Sequence, residues 1–71
     1  MSLKAHFSAN LRRLRTRKGW SQERLAEESG LHRTYISGLE RGTRNPSLQI
    51  VERLAEALKV RAAELVRESA Q

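Results

Sequence analysis

Several residue types are missing from this sequence, and their absence excludes whole classes of functional site. The 71 residues include no cysteine and no aspartate, and the two histidines, His6 and His32, lie 26 positions apart. Disulfides, thiolate metal sites and a Ser-His-Asp triad are therefore excluded, and no third ligand completes a zinc site. No glycine-rich phosphate loop of either known spacing occurs. We expect no enzymatic activity, no metal and no cofactor.

Long apolar runs and flexible tracts are also lacking. No more than two apolar residues follow one another, which excludes a membrane span and the core of a signal peptide. The single proline and the absence of glycine- or serine-rich stretches exclude a linker or a low-complexity segment. With 38% apolar residues, the chain can form one small domain, 1–71, whose core is thin because short chains bury little surface. A partner such as a second copy of the chain would help to stabilise it.

Positive charge is concentrated in the first segment of the chain. Residues 1–20 contain six basic residues and no acid, whereas residues 21–45 and 46–71 each contain four basic residues and four glutamates. The whole formal excess of +6 therefore lies in the first segment. A basic segment joined to a neutral globular remainder favours a polyanionic partner, most often nucleic acid. A face that only aids solubility, an acidic protein and a membrane surface are the alternatives.

The spacing of apolar residues is helical along the whole chain and predicts an all-α domain of five short helices. The helices are expected over about residues 3–18, from the N-cap Ser21 to Gly30, over 32–41, from Asn45 or Ser47 through Leu58, and near 62–69. The residues expected to face the core are Leu3, Phe7, Leu11, Leu14, Leu25, Ala26, Tyr35, Ile36, Leu39, Leu48, Val51, Leu54, Ala55, Leu58, Leu65 and Val66.

Residues 21–42 give the clearest structural signal. The two short helices on either side of Gly30 meet at a tight turn, where glycine adopts a positive φ at no steric cost. Ala26 is small enough for the two helices to cross closely, and Ile36 and Leu39 help to hold the pair together. This is the geometry of a DNA-binding helix-turn-helix at about 21–41, with its recognition helix at about 32–41.

An ordered set of motifs extends from Leu11 to Val66. It comprises Arg15, Gly19-Trp20-Ser21-Gln22, Leu25-Ala26, Gly30, Ile36-Ser37, Leu39-Glu40-Arg41-Gly42, and Asn45-Pro46-Ser47-Leu48 leading to Leu54-Ala55-Glu56-Ala57-Leu58. These motifs resemble the Cro/repressor-like helix-turn-helix family often called XRE. Within it, the segment from Arg33 to Gly42 followed by Arg44-Asn45-Pro46 is most similar to the controller proteins of restriction–modification systems. The resemblance implies a compact, lambda repressor-like five-helix domain that binds double-stranded DNA.

Carried over residue by residue, the resemblance makes the third helix the recognition helix. Its candidates for contacts with DNA bases are Arg33, Thr34, Tyr35 and Ser37. Arg33 is the strongest because its guanidinium can bind O6 and N7 of guanine together, a contact that discriminates by about 1–3 kcal/mol. A surface, phosphate-binding or core role is the alternative for the four. Gly38 offers no side chain, so either close approach of DNA or close packing must explain it.

The resemblance also places phosphate-contacting residues around the recognition helix. Gln22 begins the second helix, where free N–H groups attract anions, and the loop 43–45 follows the third helix. His32 stands where the family usually has a serine or threonine cap, so it either bonds a phosphate or caps poorly. A solvated side chain is the alternative for the whole set. The candidates are Arg17, Ser21, Gln22, His32, Arg41, Thr43, Arg44 and Asn45.

Two further groups have roles implied by the resemblance. Arg15 and Glu40 match a structural ion pair that joins the first helix to the end of the third, where a paired arginine costs less to bury than a lone one.

Arg61-Ala62 replaces the usual Ser-Pro and predicts a weakly capped fifth helix. Many relatives dimerise near this helix and the end of the fourth. The candidates for a homodimer interface are Ile50, Ala57, Val60, Leu65 and Val66, with completion of the monomer core as the alternative.

The sequence therefore predicts a homodimeric transcription regulator that binds a palindromic operator, and within that class a controller of a restriction–modification operon. An antitoxin and an orphan phage-type repressor are the alternatives within DNA binding. A protein-interaction module that binds an acidic partner is the alternative from another class. The resemblance implies action at the nucleoid in a bacterial cytoplasm, or on phage DNA. No separate ligand domain is visible, so we expect no small-molecule ligand, and we expect no membrane partner.

Overall fold

Five α-helices make up the fold in a computed structural model that describes residues 2–69. This confirms the predicted all-α architecture of five short helices. The last helix is shorter than the predicted 62–69. In chain order the helices are α1 (Leu3–Arg17), α2 (Gln22–Ser29), α3 (Arg33–Arg41), α4 (Leu48–Leu58) and α5 (Ala62–Val66).

Serine side chains begin three of the helices. The Oγ atoms of Ser2, Ser21 and Ser47 accept hydrogen bonds from the backbone N–H groups three residues later. Each bond satisfies one N–H group that has no partner within its helix. The cap of α4 is therefore Ser47 and not Asn45. His32 and Arg61, at the starts of α3 and α5, make no side-chain cap hydrogen bond, as their residue types led us to expect.

The turn between α2 and α3 depends on Gly30. Its φ of 75° lies in the left-handed region, where other residues are strained and glycine is not. In this conformation the N–H groups of Gly30 and Leu31 both donate to the carbonyl of Ala26, which closes the end of α2. The next residues then start α3 at once, so that the two helices pack against each other.

One hydrophobic core connects all five helices. Asn10 is fully buried within α1, and its side-chain amide donates to the carbonyls of Leu65 and Arg67. These two bonds join α1 to the end of α5 and to the residue that follows it. They also satisfy an amide that burial would otherwise leave unpaired. The buried apolar residues are Phe7, Leu11, Leu14, Leu25, Ala26, Ile36, Leu39, Val51, Leu54, Ala55, Leu58 and Leu65.

Three residues that the sequence pattern assigned to the core are exposed instead. Leu3 is 65% exposed and Leu48 is 85% exposed, and Val66 is also open to solvent. Leu3 and Leu48 are the first residues of their helices, so their side chains point back beyond the turns that pack on the core. Val66 is the last residue of α5. The three border an apolar groove of about 300 Å³, which Phe7, Pro46 and Val51 also line.

The five candidate dimer residues differ in their exposure and fall into three groups. Leu65 is fully buried within a single chain, so the expectation that it lies at a dimer surface is wrong, because the monomer core already covers it. Ile50, Ala57 and Val60 are half-buried and pack against the core. Of the five candidates, Val66 alone is exposed.

Within residues 2–69, none of the helices combines the length and the apolar character that a membrane span requires.

Candidate nucleic-acid interface

The outward face of α3 carries the residues predicted to contact DNA bases. Ile36 and Leu39 are fully buried and fix the opposite face of this helix in the core. Arg33 and Thr34 are exposed in its first turn, and within the described residues their side chains have no hydrogen bond or ion pair. Both are therefore free to bind a ligand. Tyr35 and Ser37 lie on the same helix and are half-buried.

Arg41 lies one turn after Ser37 on α3. Its guanidinium donates to the hydroxyl of Ser37. A residue predicted to contact bases and one predicted to contact phosphate are thus connected. Arg41 is exposed and keeps further donors for an anion, because a guanidinium has five N–H groups.

The loop after α3 folds back onto this helix. The backbone N–H and the hydroxyl of Thr43 both donate to the carbonyl of Gly38, at 3.0 and 3.2 Å. Arg44 follows, with the Cζ atom of its guanidinium 5.7 Å from the centroid of the Tyr35 ring. Such contacts between a cation and an aromatic face are favourable. The loop therefore presents Arg44 beside the recognition helix, while Asn45 is exposed next to it.

The start of α2 carries two of the candidate phosphate contacts, Ser21 and Gln22. The hydroxyl of Ser21 caps the helix by accepting from the N–H of Arg24. The side-chain amide of Gln22 donates to Oε1 of Glu40 at 3.1 Å. Gln22 is thus held in place by the end of α3. Two further candidates are exposed on other elements, Arg17 at the end of α1 and His32 at the start of α3.

Glu40 and Arg15 form the ion pair expected from the sequence. The guanidinium of Arg15 donates from Nε to Oε2 at 2.6 Å and from Nη2 to Oε1 at 3.0 Å. Its third nitrogen, Nη1, donates to the carbonyl of Trp20 at 2.7 Å. The Glu40 side chain is fully buried. This fork-like pairing is the strong form of an arginine–carboxylate contact.

Two members of this network were not anticipated in that role. Arg12, one turn before Arg15, brings its Nε atom to 3.6 Å from Oε1 of Glu40. Gln22 donates to the same oxygen. The spacing of Arg12 and Arg15 on one helix face could have indicated a shared partner, but the position of Gln22 depends on how α2 packs against α3.

The protonation equilibrium of Glu40 reflects both its burial and its partners. Burial alone would raise the pKa of this carboxyl. Hydrogen bonds from Arg15 and Gln22 and the positive charges of Arg15 and Arg12 outweigh burial and hold the pKa below its ordinary value. The hydrogen bond to Glu40 likewise raises the pKa of Arg15, against a smaller opposing effect of desolvation. The pair is therefore fully ionised at neutral pH.

A model of the helix-turn-helix family HTH_3 matches residues 11–65. The chain is 47% identical over 64 residues to a hypothetical transcription factor of Neisseria meningitidis serogroup B, a match that covers 90% of this chain. It spans only 60% of the length of that relative.

Solved structures extend the comparison to restriction–modification controller proteins. C.AhdI from Aeromonas hydrophila is 52% identical with a TM-score of 0.84, over 87% of this chain and 94% of the other. C.Esp1396I, solved as a tetramer in complex with its natural 35 base-pair operator, is 39% identical with a TM-score of 0.82, over 86% and 80% of the two chains. The names of these three proteins describe a transcription factor and controllers, not enzymes.

We predict that Glu40 makes the stability of the domain sensitive to acid. Because its pKa is lower in the folded chain, the unfolded chain binds a proton first as the pH falls. The stabilisation is complete above the unfolded-state pKa, about 4.3, and is lost as the pH falls through the lower folded-state pKa. Urea unfolding followed by the fluorescence of Trp20 should show a steep loss of stability below about pH 4.3, and the loss should be weaker in Glu40→Gln.

Glu28→Gln provides the matched control for this measurement. Glu28 pairs with Arg24 on the exposed surface, where such pairs contribute little. Its removal should leave the acid dependence nearly as in the unmodified protein. Equal acid dependence in Glu40→Gln and the unmodified protein would contradict the assignment.

Proposed function

The chain belongs to the helix-turn-helix family of DNA-binding transcription regulators, and from this premise we propose that it binds a two-fold related DNA operator as a homodimer. Its resemblance to C.AhdI and C.Esp1396I further favours a controller of a restriction–modification operon. We place this activity in the bacterial cytoplasm, at the nucleoid, because its partner is double-stranded DNA.

One observation supports this proposal above all others. Residues 32–45, which comprise α3 and its flanking residues, contain three arginines and a single acid. That acid is Glu40, and its carboxylate is buried and paired with Arg15. Arg33, Arg41 and Arg44 are exposed, and the segment that carries them therefore has no exposed carboxylate of its own. Such a surface suits the phosphate backbone of DNA, and α3 has the exposed first turn that enters a major groove.

The proposed roles follow from where each side chain lies. Arg33 and Thr34 lack intramolecular partners within the described residues and would contact base edges in the major groove, with Tyr35 and Ser37 beside them. Phosphates would be bound by the residues around α3, which place the domain on the duplex without selecting its sequence. These are Arg17, Ser21, Gln22, His32, Arg41, Thr43, Arg44 and Asn45.

We propose that the apolar groove bordered by Leu3, Leu48 and Val66 forms the homodimer interface. Leu3 and Leu48 are the two most exposed large apolar side chains of the described residues, and a cluster of this kind commonly marks a protein contact. Val66 belongs to the predicted interface set, whereas Leu65 leaves it because it is buried in the core. Ile50, Ala57 and Val60, which are half-buried, stay predicted interface residues. In a symmetric pair, the second copy would cover Leu3 and Leu48 of the first copy, and the first copy would cover the same two residues of the second.

Selection of bound fragments from random duplex DNA at physiological salt tests the proposed function. We expect enrichment of a palindrome whose half-sites are about one helical turn, roughly 34–36 Å, apart. Binding without enrichment that vanishes as the salt concentration rises would instead indicate only electrostatic attraction of a polyanion. That outcome would refute the regulator proposal and favour a protein-interaction module.

Arg33 and Arg44 should have distinguishable roles in binding. Arg33→Ala should cost about 1–3 kcal/mol at the selected site and relax specificity at one base pair of each half-site. Arg44→Ala should weaken binding to all sequences alike and reduce the salt dependence of log K by about one unit. Both constants are measured by fluorescence anisotropy across a salt series. Arg53→Ala, which removes an exposed arginine on α4, serves as the control. Identical behaviour of the Arg33 and Arg44 variants would contradict this division of roles.

Leu48→Glu should dissociate the dimer without unfolding the chain. Leu48 is exposed in the monomer, so the substitution removes little from the core. It would place a charge in the interface twice, and we expect the dimer dissociation constant to rise about a hundredfold. Sedimentation equilibrium measures this change. Gln49→Glu, the exposed neighbour on the same helix, adds the same charge and should leave the dimer intact; an equal effect would place the interface elsewhere.

A further inference from the structure

Gly38 occupies a helical position at which the backbone itself does not require glycine. The glycines with a positive φ are Gly19, Gly30 and Gly42, and Gly38 is not among them. Glycine is a poor helix former compared with alanine, so its presence in the middle of α3 requires another cause. That cause lies in the space beside it, because Gly38 is buried within α3.

The loop after α3 fills the space that a side chain at residue 38 would occupy. A Cβ atom built on Gly38 would lie 2.8 Å from Cγ of Arg44 and 3.3 Å from Oγ1 of Thr43. The first distance is shorter than real Cβ contacts, so any side chain here would displace Arg44. The Cγ atom of Arg44 can lie against α3 only because residue 38 lacks a side chain.

Tyr35 forms the other side of this position, one turn earlier on α3. Its ring centroid is 5.7 Å from Cζ of Arg44. The Arg44 side chain thus passes over Gly38 and ends against the ring of Tyr35. We call this position, formed by Tyr35, Gly38 and Thr43, the arginine seat.

We infer that Gly38 is a positioning residue of the DNA interface, which acts by leaving the arginine seat open for Arg44. This inference rests on the proposed function, because it assumes that Arg44 contacts a DNA phosphate. An exposed arginine has many rotamers, and fixing one of them on binding costs entropy. The seat selects the conformation of Arg44 before DNA arrives, so that less freedom is lost in the complex.

The inference is tested by a double-mutant cycle of Gly38→Ala and Arg44→Ala on the selected operator. Each single variant should weaken binding about tenfold, the equivalent of one charged hydrogen bond. Arg44→Ala should also lower the salt dependence by about one unit, whereas Gly38→Ala, which keeps the charge of Arg44, should lower it less. The double variant should bind only about tenfold more weakly than the unmodified protein, because Gly38 acts through Arg44. A hundredfold loss in the double variant would show two independent effects and would overturn the inference, as would unchanged binding by Gly38→Ala.

A second measurement tests the seat without DNA. Tyr35 is the only tyrosine of the chain, and its ring current should shift the Arg44 side-chain protons in the NMR spectrum of the unmodified protein. The shift should disappear in Gly38→Ala and in Tyr35→Leu, and persist in the control Arg53→Ala. Thermal unfolding verifies that each variant is folded. If the shift is absent in the unmodified protein, the seat is refuted; if the shift is present but no operator is selected, the proposed function alone fails.

Discussion

The buried carboxylate of Glu40 is the constraint on which the arrangement of the first three helices depends. A charge with a fully buried side chain is tolerated only when it is paired and hydrogen-bonded. Arg15 from α1 and Gln22 from α2 supply the hydrogen bonds, and Glu40 itself belongs to α3. The same guanidinium also binds the carbonyl of Trp20, just before α2. One carboxylate therefore fixes the end of α3 against both α1 and α2.

This arrangement also determines the charge of the outer surface. Glu40 is the sole acid in residues 32–45, and its ion pair with Arg15 removes its charge from that surface. Arg33, Arg41 and Arg44 remain exposed, and no exposed carboxylate lies within this segment. The ion pair thus has two effects: it stabilises the fold, and it keeps the negative charge of Glu40 away from the cationic face. The same acid would weaken DNA binding if it were exposed.

The sequence predicted the fold well because local signals and apolar spacing agree. Ser21, Gly30 and Ser47 begin or end helices through contacts within a few residues, and such contacts are visible in a sequence. Periodicity also shows which face of a helix is apolar, but not how far the neighbouring helices extend. Leu3 and Leu48 were misassigned because they are the first residues of their helices, where side chains point back beyond the turns that pack on the core. The seat of Arg44 over Gly38 escaped prediction because it depends on how the loop folds back in three dimensions.

The apolar groove and the loop 43–45, which we propose binds phosphate, are neighbours in the chain, and this connects the two halves of the proposed function. Asn45 ends the loop 43–45 and also lines the groove, together with Pro46 and Leu48. A second copy seated on Leu48 would therefore contact the segment that carries Arg44 and Asn45. If the dimer orders this loop, less conformational entropy is lost when DNA binds. Dimerisation and DNA binding would then be coupled through a few residues, and occupancy of the operator would depend steeply on protein concentration.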